Sequence, residues 1–494
     1  MYCTTMASGK VIENARMASR GVPAPVTRRC RPCVAMTQSK RMSGNSAWLA
    51  VMVAAALSHT PPGVCSTGQE ASITVAGEHP LLFLRSQRIR RLQRERERRS
   101  PRWVQFEALI SGRAAMPEPG FALALYHQVT RDETAGRRAV EWALGPATDL
   151  RQLALVYDWC QGALTERQSA ALSAKLSRAL DQPVHGLTVS DARSRALAAI
   201  VLSSRSPALS QRVLRYVVET WWRGEVAPAI RGGRDVLPRS DFYALFELLH
   251  AVRDNLNIDL RESLPAFFKQ MPLYQLISYY PAIYPAAEND YRIPAMKSPE
   301  PDLAAAAMSR IAEMAEVAYD NNSVETQYLQ GWLMHDRFIL HGALGAPYEF
   351  LWANPYQPGL SYFNLPLAFH DEILGRVFIR SRWSDDAVWL GCFDGQLETF
   401  SDGEPKALSL GSLTEPLQFG DTVIAAAPRF TVKSEATTVY VVGLAPTRDY
   451  DVEPDHREMH EARSDPGGII ELRFPTGFVG GVRVKAVFSE RGLP

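Results

Sequence analysis

Cysteine is scarce in this chain: there are six in 494 residues, and three of them, Cys3, Cys30 and Cys33, sit in a basic leader. That usage suits a reducing or an oxidising compartment alike. Cys30 and Cys33 form a C-x-x-C with no second pair and no histidine partner, which does not make a zinc site. Charge of one sign is lacking too. With 54 basic and 53 acidic residues the net charge is +1, so nothing calls for nucleic acid or an anionic membrane surface as a partner. Long hydrophobic runs are missing: the apolar segment from Ala47 to Leu57, AWLAVMVAAAL, is too short to span a bilayer. There is no Walker loop, no G-x-S-x-G elbow and no dinucleotide fingerprint.

What is present is a soluble globular composition, 46% hydrophobic and 22% charged, in a chain long enough for two or three folded units. Lys40 and Arg41 precede the Ala47–Leu57 run, and His59, Pro61 and Pro62 follow it. That is the layout of a signal-peptide h-region, so residues 1–68 are expected to be a leader and the protein exported, periplasmic or secreted. A start at Met36 gives a conventional charged n-region. Cys65 offers lipid anchoring as a minor alternative, although Pro62 stands where a lipoprotein signal carries leucine.

From His79 the pattern is helical. An Arg-rich amphipathic helix is expected over Arg85–Arg102, followed by helices at 103–110, 120–130, 135–143, 149–160, 165–181, 191–203 and 207–223. Thr165-Glu-Arg-Gln168 is a capping-box signature. The stretch Arg239–Asn255, RSDFYALFELLHAVRDN, has no Gly or Pro after its polar start. As a helix it aligns Tyr243, Glu247, His250 and Asp254 on one stripe. That stripe is either an acid/base pair facing a cleft or the solvent face of an amphipathic helix. Five prolines between Pro281 and Pro301 suggest a long surface connection, and helical pattern resumes at 303–319 and 324–340. After Pro366 the period becomes two, with strands expected at 377–383, 387–391, 437–442, 469–474 and 482–487 and turns at Asp394-Gly395, Asp402-Gly403, Gly467-Gly468 and Gly480-Gly481. Helices then strands imply a helical domain over 78–370 and an antiparallel β-domain over 371–494.

His79-Pro-Leu-Leu-Phe-Leu84 before the Arg-rich helix, then Leu153-Ala-Leu-Val-Tyr-Asp-Trp159 and Ala163-Leu-Thr-Glu-Arg-Gln168, resemble the start of the heparinase II/III-like polysaccharide lyases. The resemblance covers roughly Glu78 to the C-terminus. It implies a multidomain α-then-β fold: an incomplete (α/α) toroid of helical hairpins followed by an antiparallel β-sandwich. It also implies β-elimination on uronate-containing, acidic polysaccharide. Elimination needs a neutralised carboxylate, a base for the C5 proton and an acid for the leaving oxygen. Carried over, Tyr243 is the expected acid/base, with His250, His335 or His341 as partner. Val189-Ser-Asp-Ala-Arg-Ser194 departs from the family's asparagine–histidine pattern, so Arg193, Arg231 or Arg239 is left to clamp the carboxylate. Gly391–Phe400 lacks the family's histidines, so no metal and no cofactor is expected. Trp332 and Trp352, with Trp221, Trp222, Tyr348, Phe350, Tyr356 and Tyr362, suit either sugar stacking in a cleft or an aromatic core between the domains. Asp449, Asp451, Glu453, Asp455, His456 and His460 read as an acidic, histidine-bearing loop. The competing function is a toroid that has lost catalysis and binds glycan or acts as a scaffold at the cell envelope. A hydrolase ranks last, because Asp241 and Glu247 share one helix and do not flank a bond from opposite sides.

Overall fold

The computed structural model describes residues 74–487 apart from residue 76 and residues 184–185, 296–299, 336–338 and 456–457. The chain divides into two compact units, 1–69 and 70–494, and the described residues all belong to the second. The expected leader, the signal peptide, Met36, Cys65 and His456 lie outside the described residues.

The helices are α1 Ser86–Glu97, α2 Pro101–Ser111, α3 Pro119–Thr130, α4 Glu133–Leu144, α5 Leu150–Trp159, α6 Glu166–Asp181, α7 Val189–Val201, α8 Pro207–Arg215, α9 Ala227–Arg231, α10 Phe242–Leu256, α11 Pro265–Ile277, α12 Leu303–Tyr319, α13 Val324–His335 and α14 Gly342–Trp352. Thr165 caps α6 through a complete capping box with Gln168, as its sequence signature requires. The Arg-rich segment is shorter than its periodicity suggests. Ser100 breaks it, its side chain accepting from the Trp103 backbone N–H at 3.3 Å to cap α2, and Pro101 fits the first helical turn where its missing N–H costs nothing. Among the described residues no helix is long and apolar enough to cross a membrane.

Residues 281–301 are not a plain surface connection. Tyr279–Pro285 (β1) and Asp290–Pro294 (β2) form an antiparallel hairpin. Its prolines are tolerated because a two-stranded ribbon consists of edges only, where a strand can go without some N–H donors.

From Ala368 the chain is built of sheets. Ala368–Asp371 (β3), Arg376–Arg380 (β4), Trp389–Phe393 (β5), Gln396–Ser401 (β6) and Glu404–Leu408 (β7) make a five-stranded antiparallel meander. Leu417–Phe419 (β8), Thr422–Ala425 (β9), Arg429–Val441 (β10), Asp449–Pro454 (β11), His460–Arg463 (β12) and Ile470–Ala486 (β13) form a six-stranded sheet in the order β12-β11-β13-β10-β9-β8. Two expectations fail here. The β9–β10 pair is parallel, so the region is not wholly antiparallel. Gly480-Gly481 is not a turn: β13 runs straight through it, with Gly480 opposite Val432 and Gly481 opposite Thr431 of β10. Two glycines impose no reversal when a long partner strand continues beside them. The acidic loop is likewise a hairpin, with Asp449 opposite Arg463 and an ion pair of 3.2 Å between them.

Period-two alternation explains how the layers stack. Val377 and Ile379 of β4 point into a core shared with Ile424 and Tyr440 of the six-stranded sheet and with Ile469 just before β13. Phe378, Trp389 and Phe400 point the other way, against Ile277, Tyr280 and Trp332 of the helical region. The centre of the five-stranded sheet is therefore covered on both faces, with every residue of β4 and β5 buried, while its edge strand β7 is exposed. A glycine pair locks the turn before β4 to the loop before β13. Gly375 has φ +67°, and a Cβ there would lie 1.9 Å from the Gly467 nitrogen. Gly375→Ala is accordingly expected to destabilise the protein by about 2 kcal/mol or more, through left-handed strain plus a backbone clash. A urea midpoint unchanged from wild type would overturn that.

Candidate functional site

Helix α10 carries the expected acid/base pair. Its surroundings differ from both readings of the sequence, because Phe242 through Val252 are buried on every side and the helix has neither a solvent face nor a cleft-facing stripe there. It lies between α7 and α12, while Trp352 at the end of α14 touches the rings of both Tyr243 and His250, with centroids 6.5 and 4.8 Å away. An apolar stripe can be read from spacing; enclosure by helices from distant parts of the chain cannot.

The polar centre of this core is Arg151 of α5, which is 1% exposed. Its Nε and Nη2 donate to the two Glu247 oxygens at 2.7 Å each, its Nη1 donates to Glu118 Oε2 at 3.0 Å, and Nη2 also reaches the Tyr243 hydroxyl at 3.2 Å. Arg193 adds a second cation, 3.1 Å from Glu247 Oε2. Tyr243 donates to Glu247 Oε1 at 2.5 Å and accepts from Trp352 Nε1 at 3.2 Å. Tyr348 donates to Glu118. Burial pushes the Glu247 carboxyl up, but Arg151 and then Arg193 outweigh it and hold Glu247 below its ordinary value. Burial, reinforced by the Glu247 charge, pushes the Tyr243 phenol well above its usual range. Tyr243 is thus a committed hydrogen-bond donor at the buried end of an ion cluster whose outer members, Glu118 and Arg193, are partly exposed.

His250 is fully buried. Its Nε2 donates to the Ala315 carbonyl at 3.0 Å, and its Nδ1 faces the Arg253 guanidinium at 3.5 Å. Burial, then the charge of Arg88, lowers its pKa well below the ordinary histidine value, so it stays neutral.

The other candidates are dispersed. Arg239 belongs to a second buried group: Nη2 lies 3.1 Å from Glu313, and the guanidinium sits 4.3 Å over the Tyr279 ring. Trp332 packs on the far side of that group, 5.1 Å from Tyr279. His335 is exposed beside Phe363, and His341 is exposed with its Nδ1 2.5 Å from Gln105 Oε1. Arg231 is exposed and has no partner among the described residues. Of the aromatic residues proposed for sugar stacking, Trp221, Trp222, Trp332, Tyr348, Phe350, Trp352 and Tyr362 are core, and Tyr356 alone is open, at 55%.

The sequence motifs behind the family resemblance do meet in space. Asp158 Oδ1 accepts from the Leu81 backbone N–H at 2.9 Å and lies 2.5 Å from His79 Nδ1, and Trp159 Nε1 donates to the Leu82 carbonyl at 3.0 Å. The Tyr-Asp-Trp motif is a clip for the entering chain. Sequence reasoning passed over Arg151 and Glu118, and read Tyr348 only as a stacking or core ring, not as a donor to Glu118. The available signal was an arginine heading the apolar run of α5, a position that demands a buried counter-charge.

His370 of β3, Glu372 and Glu471 of β13 bring ligand atoms within 4.8 Å of one another. Yet His370 Nδ1 pairs with Glu471 at 2.9 Å and Nε2 with Asp465 at 2.8 Å. A ring held by carboxylates at both nitrogens is an imidazolium, with no lone pair to offer a metal.

No family model matches this chain, and no curated protein does. Among solved structures it is similar to one titled "Glycoside hydrolase", at 9% identity over 75% of this chain and 71% of that one, with a TM-score of 0.27. A likeness of that degree carries no argument about fold or chemistry.

Proposed function

We propose that this is an exported glycan-binding protein of toroid-plus-sandwich design, related to the heparinase II/III-like lyases but not catalysing elimination through Tyr243 and His250. One observation carries the reading: both side chains are sealed in the core with their polar atoms facing protein groups. A base must reach the proton it takes, and neither side chain is open to a substrate. The glycan class rests on the motif resemblance and on the helices-then-sheets order. Arg231 is the clamp candidate whose guanidinium is uncommitted, since Arg193 serves Glu247 and Arg239 serves Glu313. An acidic polysaccharide would pair with it at the surface.

The test is to incubate the purified chain with a panel of uronate glycans, following the ultraviolet absorbance of the unsaturated sugar end and, in parallel, binding. Binding without any rise in absorbance is expected, weakened roughly fivefold in Arg231→Ala, as for a surface charge contact. A rise that disappears in Tyr243→Phe would restore the elimination chemistry and sink this reading.

A further inference from the structure

A cavity of about 290 Å³ opens where α10, α11, α12 and the start of α13 meet, and no member of the Arg151 cluster lines it. Phe246 of α10 and Phe268 with Pro265 of α11 form its apolar wall, and Glu316, from the last turn of α12, lines it. The remaining wall comes from the α10–α11 turn and the start of α13. Two carboxylates in that wall are already committed. Asp259 holds Arg261 Nη2 at 3.0 Å and the Tyr319 hydroxyl at 3.1 Å, while Asp320 takes Arg261 Nη1 at 2.9 Å and caps the turn into α13. Three are not. Glu262 and Glu325 make no ion pair with any described residue, and Glu316, 4% exposed, meets only the Gln275 amide through Oε2, leaving Oε1 without a partner among the described residues. Against these stands one unpaired cation, the exposed Lys269.

A carboxyl nine-tenths buried, facing a cavity and in ion-pair contact with no cation among the described residues, is costly unless something supplies a counter-charge. At rest the proton supplies it: burial, then the nearby Glu313 charge, pushes Glu316 well above the ordinary carboxylate value. We propose that this cavity is a binding site for the ammonium group of a small amine, an amino sugar or an aliphatic polyamine, seated against Glu316 with its carbon body on Phe246 and Phe268. On binding, Glu316 releases its proton to solvent and the ammonium takes that place. The excess of unpaired carboxylates around the mouth selects against uronates, so this site is separate from the acidic-glycan reading and does not depend on Arg231.

Isothermal titration of the full chain with glucosamine, glucose, putrescine and 1,4-butanediol tests it. At least one amine should bind about tenfold or more tighter than its uncharged counterpart, with a heat that varies with the ionisation enthalpy of the buffer. Glucosamine alone binding names the amino sugar; putrescine alone names the polyamine; both together mean that the ammonium is read without the body. Glu316→Gln should abolish the buffer dependence and weaken binding about tenfold, and Glu325→Gln, at the half-exposed rim where folding is not at stake, should weaken it severalfold. Amines binding no better than their uncharged counterparts, or binding unaltered in both variants, would overturn the proposal.

Discussion

Arg151→Met should cost about 3–5 kcal/mol of stability, the range for breaking a buried ion pair from one side. The substitution keeps much of the side-chain volume but leaves Glu247, 0% exposed, with only Arg193 as cation at 3.1 Å. It also strips Glu118 of its 3.0 Å partner and removes the guanidinium from the Phe121 and Tyr348 rings, 5.0 and 5.5 Å away. For a unit of this size that corresponds to a melting temperature lower by roughly 3–6 °C. Arg151→Met combined with Glu247→Leu should recover part of the loss, because the orphaned charge goes with its partner. A single variant that melts within about 1 °C of wild type would show that the cluster is not what fixes α5 against α10. The same experiment bears on function, since a cluster that acts only in folding leaves glycan binding unchanged wherever the variant is still folded.

The second large effect is a pH dependence. His370 is raised from 6.5 to about 9: burial alone would lower it, but the hydrogen bonds and charges of Asp465 and Glu471 more than reverse that. A histidine whose folded-state pKa is raised contributes its full stabilisation below pH 6.5 and loses it as the pH climbs through 9. The gap corresponds to about 3 kcal/mol at 1.36 kcal/mol per unit. Glu471 behaves oppositely. Burial raises it, His370 and Arg473 lower it further, and its folded value ends below 4.5, so its contribution is present above pH 4.5 and fades in acid. The triad should therefore hold β3 to β13 best between about pH 4.5 and 6.5. Urea unfolding at pH 6 and pH 9.5 should show wild type losing about 3 kcal/mol more than His370→Gln does over that interval. Equal losses in the two proteins would remove the triad from the account.

Much of the architecture was legible because it follows from local rules. The capping box at Thr165 and the apolar stripe of α6 depend on residues a few positions apart, and the order of helices before strands shows in the change of period after Pro366. Where local signals were ambiguous, tertiary partners chose. The Pro-rich 281–301 segment pairs with itself, and Gly480-Gly481 continues as strand because β10 runs beside it. Helix α11 was hidden by the internal Pro272, and α14 by Pro347.

The candidate site shows the sharper division. The sequence by itself determined that Tyr243, Glu247 and His250 share one side of a helix, because a pitch of 3.6 residues requires it. It also determined that an arginine in the apolar α5 had to find an anion. Only the tertiary structure decided that Glu247 is that anion, that α7, α12 and Trp352 close over the tyrosine and the histidine, and that the buried acid facing a cavity is Glu316 instead. Burial and counter-charge are set by residues far off in the chain, 96 positions for Arg151 and 54 for Arg193 from Glu247, and no local period records them.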